Sequence, residues 1–266
     1  MVRAQRGHRH RGQQQTNSPD LARARLLPGQ VMHSSEYRNG VPWKGQPVLV
    51  VGFGNSACEL AIDLVERGSQ AHLAVRSPVN VIPRDVFGVV PVLQLGIVMQ
   101  HLPPAVADAL GWPMARATIG DIRQVGLRKL PYGPNTQIAR DRHIPLLDIG
   151  TMEHIRAGRI RVHPDIQRFT PDGVEFTDGE TLAVEAVVLA TGYRPALDEF
   201  LVQWREVCDD KGIPLKSGGQ TALPGLYFCG QFVSPSGMLR QIRIEAGRIA
   251  SSIKRASPSA KALPAR

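Results

Sequence analysis

The apolar and polar positions along the chain divide it into short segments of distinct period. Pro47–Val51 is an apolar run that stops at Gly52, the pattern of a strand buried on both faces. From Asn55 to Arg67 the apolar residues Ala57, Leu60, Ala61, Leu64 and Val65 recur at helical spacing, and Gly68 closes the helix. Ala71–Val75 reads as a second short strand, so a βαβ unit begins here. Residues 86–130 carry a mainly helical pattern, broken at Pro91, Pro103-Pro104 and Pro113. Past Ile160 the period shortens. Ile160–Val162, Ile166–Thr170, Val174–Thr177 and Thr181–Val184, with turns at Asp172-Gly173 and Asp178-Gly179, predict a β-meander. Ala186–Ala190 is a buried strand running into Thr191-Gly192, Gly225–Cys229 is another, and Gly237–Ser252 reads as a final helix. The predicted class is α/β.

The first strand–helix junction carries chemistry. Gly52-Phe53-Gly54-Asn55-Ser56-Ala57 fits the glycine pattern of a Rossmann dinucleotide cradle. Gly52 permits the tight turn, Gly54 lets the backbone approach a pyrophosphate, and the small Ala57 lets helix and strand pack closely. The helix N-terminus then offers free N–H groups to the phosphates. A serine nucleophile elbow would also sit on such a turn, but it wants glycine at 58, where this chain has Cys58. The second strand ends in Arg76-Ser77, where an NAD binder keeps a carboxylate for the ribose hydroxyl. A guanidinium there suits a 2′-phosphate, so NADPH is expected in preference to NADH.

Charge and cysteine content narrow the function classes. The formal charge of +9 resides in the ends: Arg3, Arg6, Arg9, Arg11, Arg23 and Arg25 against Asp20, then Lys254, Arg255, Lys261 and Arg266 with no acid. Residues 26–250 are neutral, so specific nucleic-acid binding is not expected. Cys58, Cys208 and Cys229 form no Cys-x-x-Cys pair and no even framework, which suits a reducing, cytoplasmic setting. No apolar run reaches membrane-spanning length. The histidines show no metal-ligand spacing, and His72 within a strand reads as a packed or surface residue. No catalytic side chain stands out, so redox chemistry would have to come from a cofactor.

Leu27, Gly29, His33 and Tyr37, then Ile82-Pro83-Arg84, Leu147–Thr151, Ala190-Thr191-Gly192-Tyr193 and Gly225-Leu226-Tyr227, follow one another along the chain, and in this order they resemble motifs of the class B flavin-containing monooxygenases, in particular the YUCCA-like group. Gly29, His33 and Tyr37 fit the family's linker fingerprint, with Leu27 where phenylalanine is expected. Ala190-Thr191-Gly192-Tyr193 resembles its A-T-G-Y strand, and Ile82-Pro83-Arg84, Leu147–Thr151 and Gly225-Leu226-Tyr227 are similar to YUCCA-like segments. The resemblance implies that NADPH reduces FAD and that the reduced flavin takes up O₂ as a C4a-hydroperoxide. That species then oxygenates a small-molecule substrate, such as an indole or aryl 2-oxo acid or a soft nitrogen or sulfur centre. Gly52, Gly54, Asn55, Ser56, Ala57 and Arg76 would hold NADPH, with Ala190, Thr191 and Gly192 at the return to the flavin domain. Gly230, Gln231, Met238 and Leu239 would face FAD.

The organisation expected is a disordered basic tail over 1–26, an NADPH-binding domain with its linker over 27–193, the C-terminal part of a FAD domain over 194–255, and a disordered tail over 256–266. The family begins with a separate glycine-rich FAD unit, and residues 1–26 hold no such motif. The chain is therefore read as a member lacking that segment. By itself it is expected neither to retain FAD nor to oxygenate, and to pair with a complementary chain or self-associate. The alternative is a non-catalytic NADP-binding module or one half of a split flavoprotein.

Overall fold

The computed structural model describes residues 29–86, 88–193 and 196–256. The tail expected over 1–26, Leu27, and all of the C-terminal tail except Ala256 lie outside these residues. Among the described residues the chain forms two compact units. One comprises 29–191 with 232–241; the other comprises 192–231 with 242–256.

The larger unit is built on a five-stranded parallel sheet. Its strands are β1 (Gln30–His33), β2 (Pro47–Val51), β3 (Gln70–Ala74), β8 (Ile160–His163) and β12 (Ala186–Leu189), in the order β1-β12-β2-β3-β8. Strands β2 and β12 are wholly apolar because both faces are covered. Val48 and Val50 pack with helix α1 (Asn55–Glu66) and helix α5 (Thr151–Arg156) on one side. Their alternates Leu49 and Val51 pack on the other side against Phe169, Val174 and Phe176. Those residues belong to an antiparallel meander of β9 (Ile166–Thr170), β10 (Gly173–Phe176) and β11 (Thr181–Leu182).

Between β4 (Val81–Pro83) and its parallel partner β7 (Leu146–Asp148) the chain makes a long helical excursion. A short antiparallel pair, β5 (Asp85–Val86) and β6 (Val90–Pro91), leads into α2 (Val92–Met99), α3 (Pro104–Ile119) and α4 (Pro134–Asp141). The smaller unit carries α6 (Trp204–Val207) and a modest core of Leu197, Val207, Cys208 and Phe228. The last helix, α7 (Met238–Ala256), runs from one unit into the other.

Four sequence expectations are corrected. Ile160–Val162 is an edge strand of the parallel sheet beside β3, not the first strand of the meander. Gly225–Cys229 forms no strand; Tyr227 makes one isolated bridge to Gln220 while Phe228 packs into the small core. Pro113 does not end a helix, because it lies exposed inside α3, where losing one backbone hydrogen bond is tolerated. Ala256, placed in the tail, closes α7.

His72 is a packed residue of β3, on the face that also carries Ala74. Its Nδ1 lies 2.9 Å from His163 Nε2, and His163 Nδ1 lies 3.0 Å from the Glu180 carboxylate. The His163 ring stacks on Phe176. Burial, then the neighbouring His163 and Arg161, push the His72 pKa from 6.5 down to about 4. Below 6.5 the unfolded chain therefore takes up a proton that the folded chain refuses, and stability falls as pH drops from about 6.5 to about 4. Melting midpoints measured across that range are expected to decline less steeply for His72→Leu than for the parent chain. Equal slopes would remove His72 from the account.

Candidate functional site

The turn after β2 is held on both flanks. The Gly52 N–H donates to the Ala74 carbonyl of β3 at 3.0 Å, and the Ala190 N–H just past β12 donates to the Val51 carbonyl at 3.0 Å. Gly52 sits at φ +125, and a Cβ there would stand 2.7 Å from the Ala190 carbonyl oxygen and 3.7 Å from the Ala57 Cβ. This position needs glycine for conformation and for space. Ala57 is wholly buried, which brings α1 down onto the sheet.

Gly54 is different. It is the N-cap of α1 in an extended conformation, makes no side-chain cap, and a Cβ there would meet nothing within 4 Å. The open space over Gly54 lies directly before the helix N-terminus, and the first turn of α1 holds no acidic residue. That is the arrangement an anion requires: open approach, N–H groups and a positive dipole end. Ser56 is exposed beside it. Asn55, expected as a nucleotide contact, spends its side-chain oxygen on the Leu147 N–H at 2.9 Å and so ties α1 to β7. Among the described residues no histidine is hydrogen-bonded to Ser56. Burial pushes the Cys58 thiol up to about 12. A nucleophile elbow is therefore not what this turn provides.

Arg76 stands exposed beyond the end of β3. The structure brings a second guanidinium to it that sequence reasoning missed: Arg128 donates to the Arg76 carbonyl. Residues 128–130 are held there by Val79, whose N–H donates to the Arg128 carbonyl at 2.8 Å and whose carbonyl accepts from the Leu130 N–H at 3.2 Å. The two arginines lie 52 positions apart, so no local motif could have paired them.

The linker residues are structural anchors. A Cβ on Gly29 would meet the Glu185 carbonyl oxygen at 2.5 Å, which keeps this segment against β12. His33 accepts from the Ser35 N–H through Nδ1 at 3.2 Å. The Tyr37 hydroxyl donates to Asp63 of α1 at 2.7 Å, the Gly40 N–H donates to the same oxygen at 2.8 Å, and the Tyr37 ring stacks on Trp43. Burial raises the Asp63 pKa, but the bonds from Tyr37, Gly40 and Arg67 outweigh it and hold the carboxyl below its usual range. Tyr37 in turn is pushed well above its ordinary value by burial and by that carboxylate.

Past β12, Thr191 is exposed and Gly192 takes φ +87, where the chain leaves the larger unit. Gly230 and Gln231 belong to the smaller unit, while Met238 and Leu239 open α7 in the larger one. In the smaller unit the buried Glu245 carboxylate accepts from the Gly230 N–H at 2.7 Å and from the Ser217 hydroxyl at 2.6 Å. Among the described residues there is no group of side chains that could hold a metal ion, and no helix is long and apolar enough to cross a membrane. The Gly52–Ala57 turn suits a dinucleotide; the glycine-bearing turn from β7 into α5, at Gly150, is instead closed by the Asp148 carboxylate, which accepts from the Gly150 and Met152 N–H groups.

A parallel α/β sheet with an acid-free glycine turn and arginines at the next strand end is the architecture of the Rossmann-type fold. Comparison gives the family. The model of the flavin-binding monooxygenase-like family matches residues 17–213, and the chain belongs to that family. It is similar to the probable indole-3-pyruvate monooxygenase YUCCA3 of Arabidopsis thaliana, 35% identical over 215 residues, which is 80% of this chain and 49% of that protein. It is also 36% identical over 207 residues to the indole-3-pyruvate monooxygenase YUCCA8 of Oryza sativa subsp. indica, covering 77% of this chain and 48% of that protein. The chain thus spans about half the length of these curated relatives. Among solved structures it shares its fold with a flavin-containing monooxygenase from Stenotrophomonas maltophilia, at a TM-score of 0.54, 16% identity, 88% of this chain and 57% of that one. The open crystal structure of cyclohexanone monooxygenase gives a TM-score of 0.55 at 16% identity, over 88% of this chain and 60% of that one.

The two glycines are expected to respond differently to a methyl group. Gly52→Ala meets a backbone oxygen at a positive φ and should cost on the order of 1–3 kcal/mol. Gly54→Ala meets nothing and should stay within about 0.5 kcal/mol of the parent. Urea midpoints of the two variants check this, and equal losses would contradict the geometry.

Proposed function

We propose that this chain supplies the NADPH-binding part of a flavin-dependent monooxygenase acting with O₂ on a small organic substrate. The observation that carries the reading is the cradle itself: a glycine turn open over the N-terminus of α1, with Arg76 and Arg128 together at the end of β3. Gly54 leaves room for the pyrophosphate to approach the first-turn N–H groups. The two guanidiniums suit a 2′-phosphate, whereas the bare ribose hydroxyl of NADH offers them no charge and finds in them no acceptor for its proton. Asn55 acts indirectly by fixing the head of α1 to β7. Bound NADPH supplies a hydride to the flavin. FAD comes to this reading from the family, and no residue described here is assigned to its phosphates. The relatives' printed names make indole-3-pyruvate, or a compound like it, the substrate to try first.

Titration of the purified chain with NADPH and NADH, followed by nicotinamide fluorescence, tests the reading. Arg76→Ala and Arg128→Ala are each expected to weaken NADPH by ~1.5–3 kcal/mol, roughly 10- to 150-fold, and to leave NADH nearly unchanged. Gly54→Ala should weaken both nucleotides while the fold persists. Equal losses of NADPH and NADH in the arginine variants would overturn the 2′-phosphate assignment. A flavin absorbance band in the purified protein would place FAD on this chain as well.

A further inference from the structure

The larger unit contains a cavity of about 580 Å³ that none of Gly52–Ala57 and Arg76 lines. Its floor is β4, and its walls are α2 and α3, through Val92, Leu95 and Met99 on one side and Ala107, Gly111 and Met114 on the other. The size is that of a small-molecule pocket.

Two features point to an occupant. The first is α2, whose sequence Val-Leu-Gln-Leu-Gly-Ile-Val-Met is almost wholly apolar and yet contains no fully buried residue. The helix is nevertheless fixed in place, since a Cβ on Gly96 would stand 2.4 Å from the Pro235 carbonyl oxygen. An apolar wall held at a distance from its facing wall leaves its side chains without contacts, at a cost that a ligand in the gap removes.

The second is the state of the polar groups around the cavity. Asp108 accepts four hydrogen bonds from Asn135 and Thr136 at the head of α4. Arg116 and Arg123 both pair with Asp121. Asn80 donates to the Tyr132 carbonyl and to Gln137. Lys129 also lines the cavity, and it is an exposed residue whose ammonium can stay in water. A charged ligand would leave solvent for groups already committed elsewhere, which is costly.

From this we infer that the cavity between α2, α3 and β4 is a binding site for a neutral, mainly hydrophobic small molecule. The site lies wholly in the larger unit and stands whether or not the flavin reading holds.

A matched pair of fluorescent probes tests it on the full chain. N-phenyl-1-naphthylamine is neutral, and 1-anilinonaphthalene-8-sulfonate presents the same rings with a negative charge. The neutral probe is expected to bind saturably at one site, with the sulfonate at least about tenfold weaker, as one uncompensated charge implies. Gly111→Phe should abolish the neutral signal. A Cβ at Gly111 meets nothing within 4 Å, so the ring fills the cavity, and a helix interior is better served by phenylalanine than by glycine. Ala115→Phe, from the same wall, is the second filling variant should the first fail to fold. Val98→Ser alters an exposed apolar position outside the cavity lining and should change nothing. The inference is overturned if no saturable neutral binding is seen, or if the sulfonate binds as well or better, which would make Lys129 the decisive group. It is equally overturned if a folded filling variant binds like the parent, or if Val98→Ser removes the signal.

Discussion

The passage of Gly52 past the Ala190 carbonyl sets the geometry of the larger unit. Two strands that meet at the centre of the sheet, β2 and β12, come from positions well separated in the chain. Their pairing places a backbone oxygen where a Cβ at 52 would fall, at 2.7 Å. The turn cannot relax away from it, because Gly52 is also bonded to Ala74 of β3. Wholly buried Ala57 takes up the remaining space. With these contacts in place α1 descends onto the sheet and its first N–H groups open over Gly54. A bulkier residue at 52 or 57 would lift the helix, and its open N-terminal N–H groups would move with it.

Much of this was legible in the sequence because it is local. Pro47–Val51 and the helix from Asn55 were readable from apolar runs, glycine punctuation and 3.6-residue spacing, all of which are properties of a few neighbouring residues. What failed needed partners from afar. Ile160–His163 has the look of a strand, but alternation does not say whether its neighbour is β3 or β9. Gly225–Cys229 is as apolar as a strand, yet Phe228 finds burial against Leu197 and Val207 without a ladder. Asn55 suited a phosphate contact by its place in the motif, whereas its side-chain oxygen meets Leu147, 92 positions away. Arg128 carried no motif at all, and only the parallel bridge of Val79 with Lys129 brings it to Arg76.

A recurrent device explains why few carboxylates in this chain are candidates for chemistry. Asp63 gathers the Tyr37 hydroxyl and the Gly40 N–H, Asp108 gathers the head of α4, and Glu245 gathers Ser217 and Gly230. In each case one acid satisfies several donors that have no strand or helix partner of their own, the first-turn N–H groups of α4 among them. Charge-assisted hydrogen bonds are about twice as strong as neutral ones, so a single residue can hold a loop that propensity leaves undecided. Read in sequence, each is an isolated acid on a helix. In the fold Asp63 and Glu245 each hold a neighbouring loop, and Asp108 holds the first turn of α4. The linker tyrosine is a case in point: its phenol is committed to Asp63 and fixes the approach to β2 rather than meeting a ligand.

The Gly52–Ala57 turn and the apolar cavity are joined by a short path through the larger unit. Asn55, first residue of α1, accepts from Leu147; Leu147 pairs with Ile82 in the β4–β7 ladder; and residues 80–83 form the cavity floor. The path contains two parallel strands and a helix terminus joined by regular hydrogen bonds. Elements of this kind transmit position rather than switch, because coupling between two sites needs an element with two states that both ligands bias. The α2–α3 pair is built otherwise. It is attached at Gly96 and through Asp108 at its edges, with apolar side chains facing a gap. The α2–α3 pair thus encloses open space, while the Gly52–Ala57 turn is gripped on both flanks by β3 and by the segment after β12.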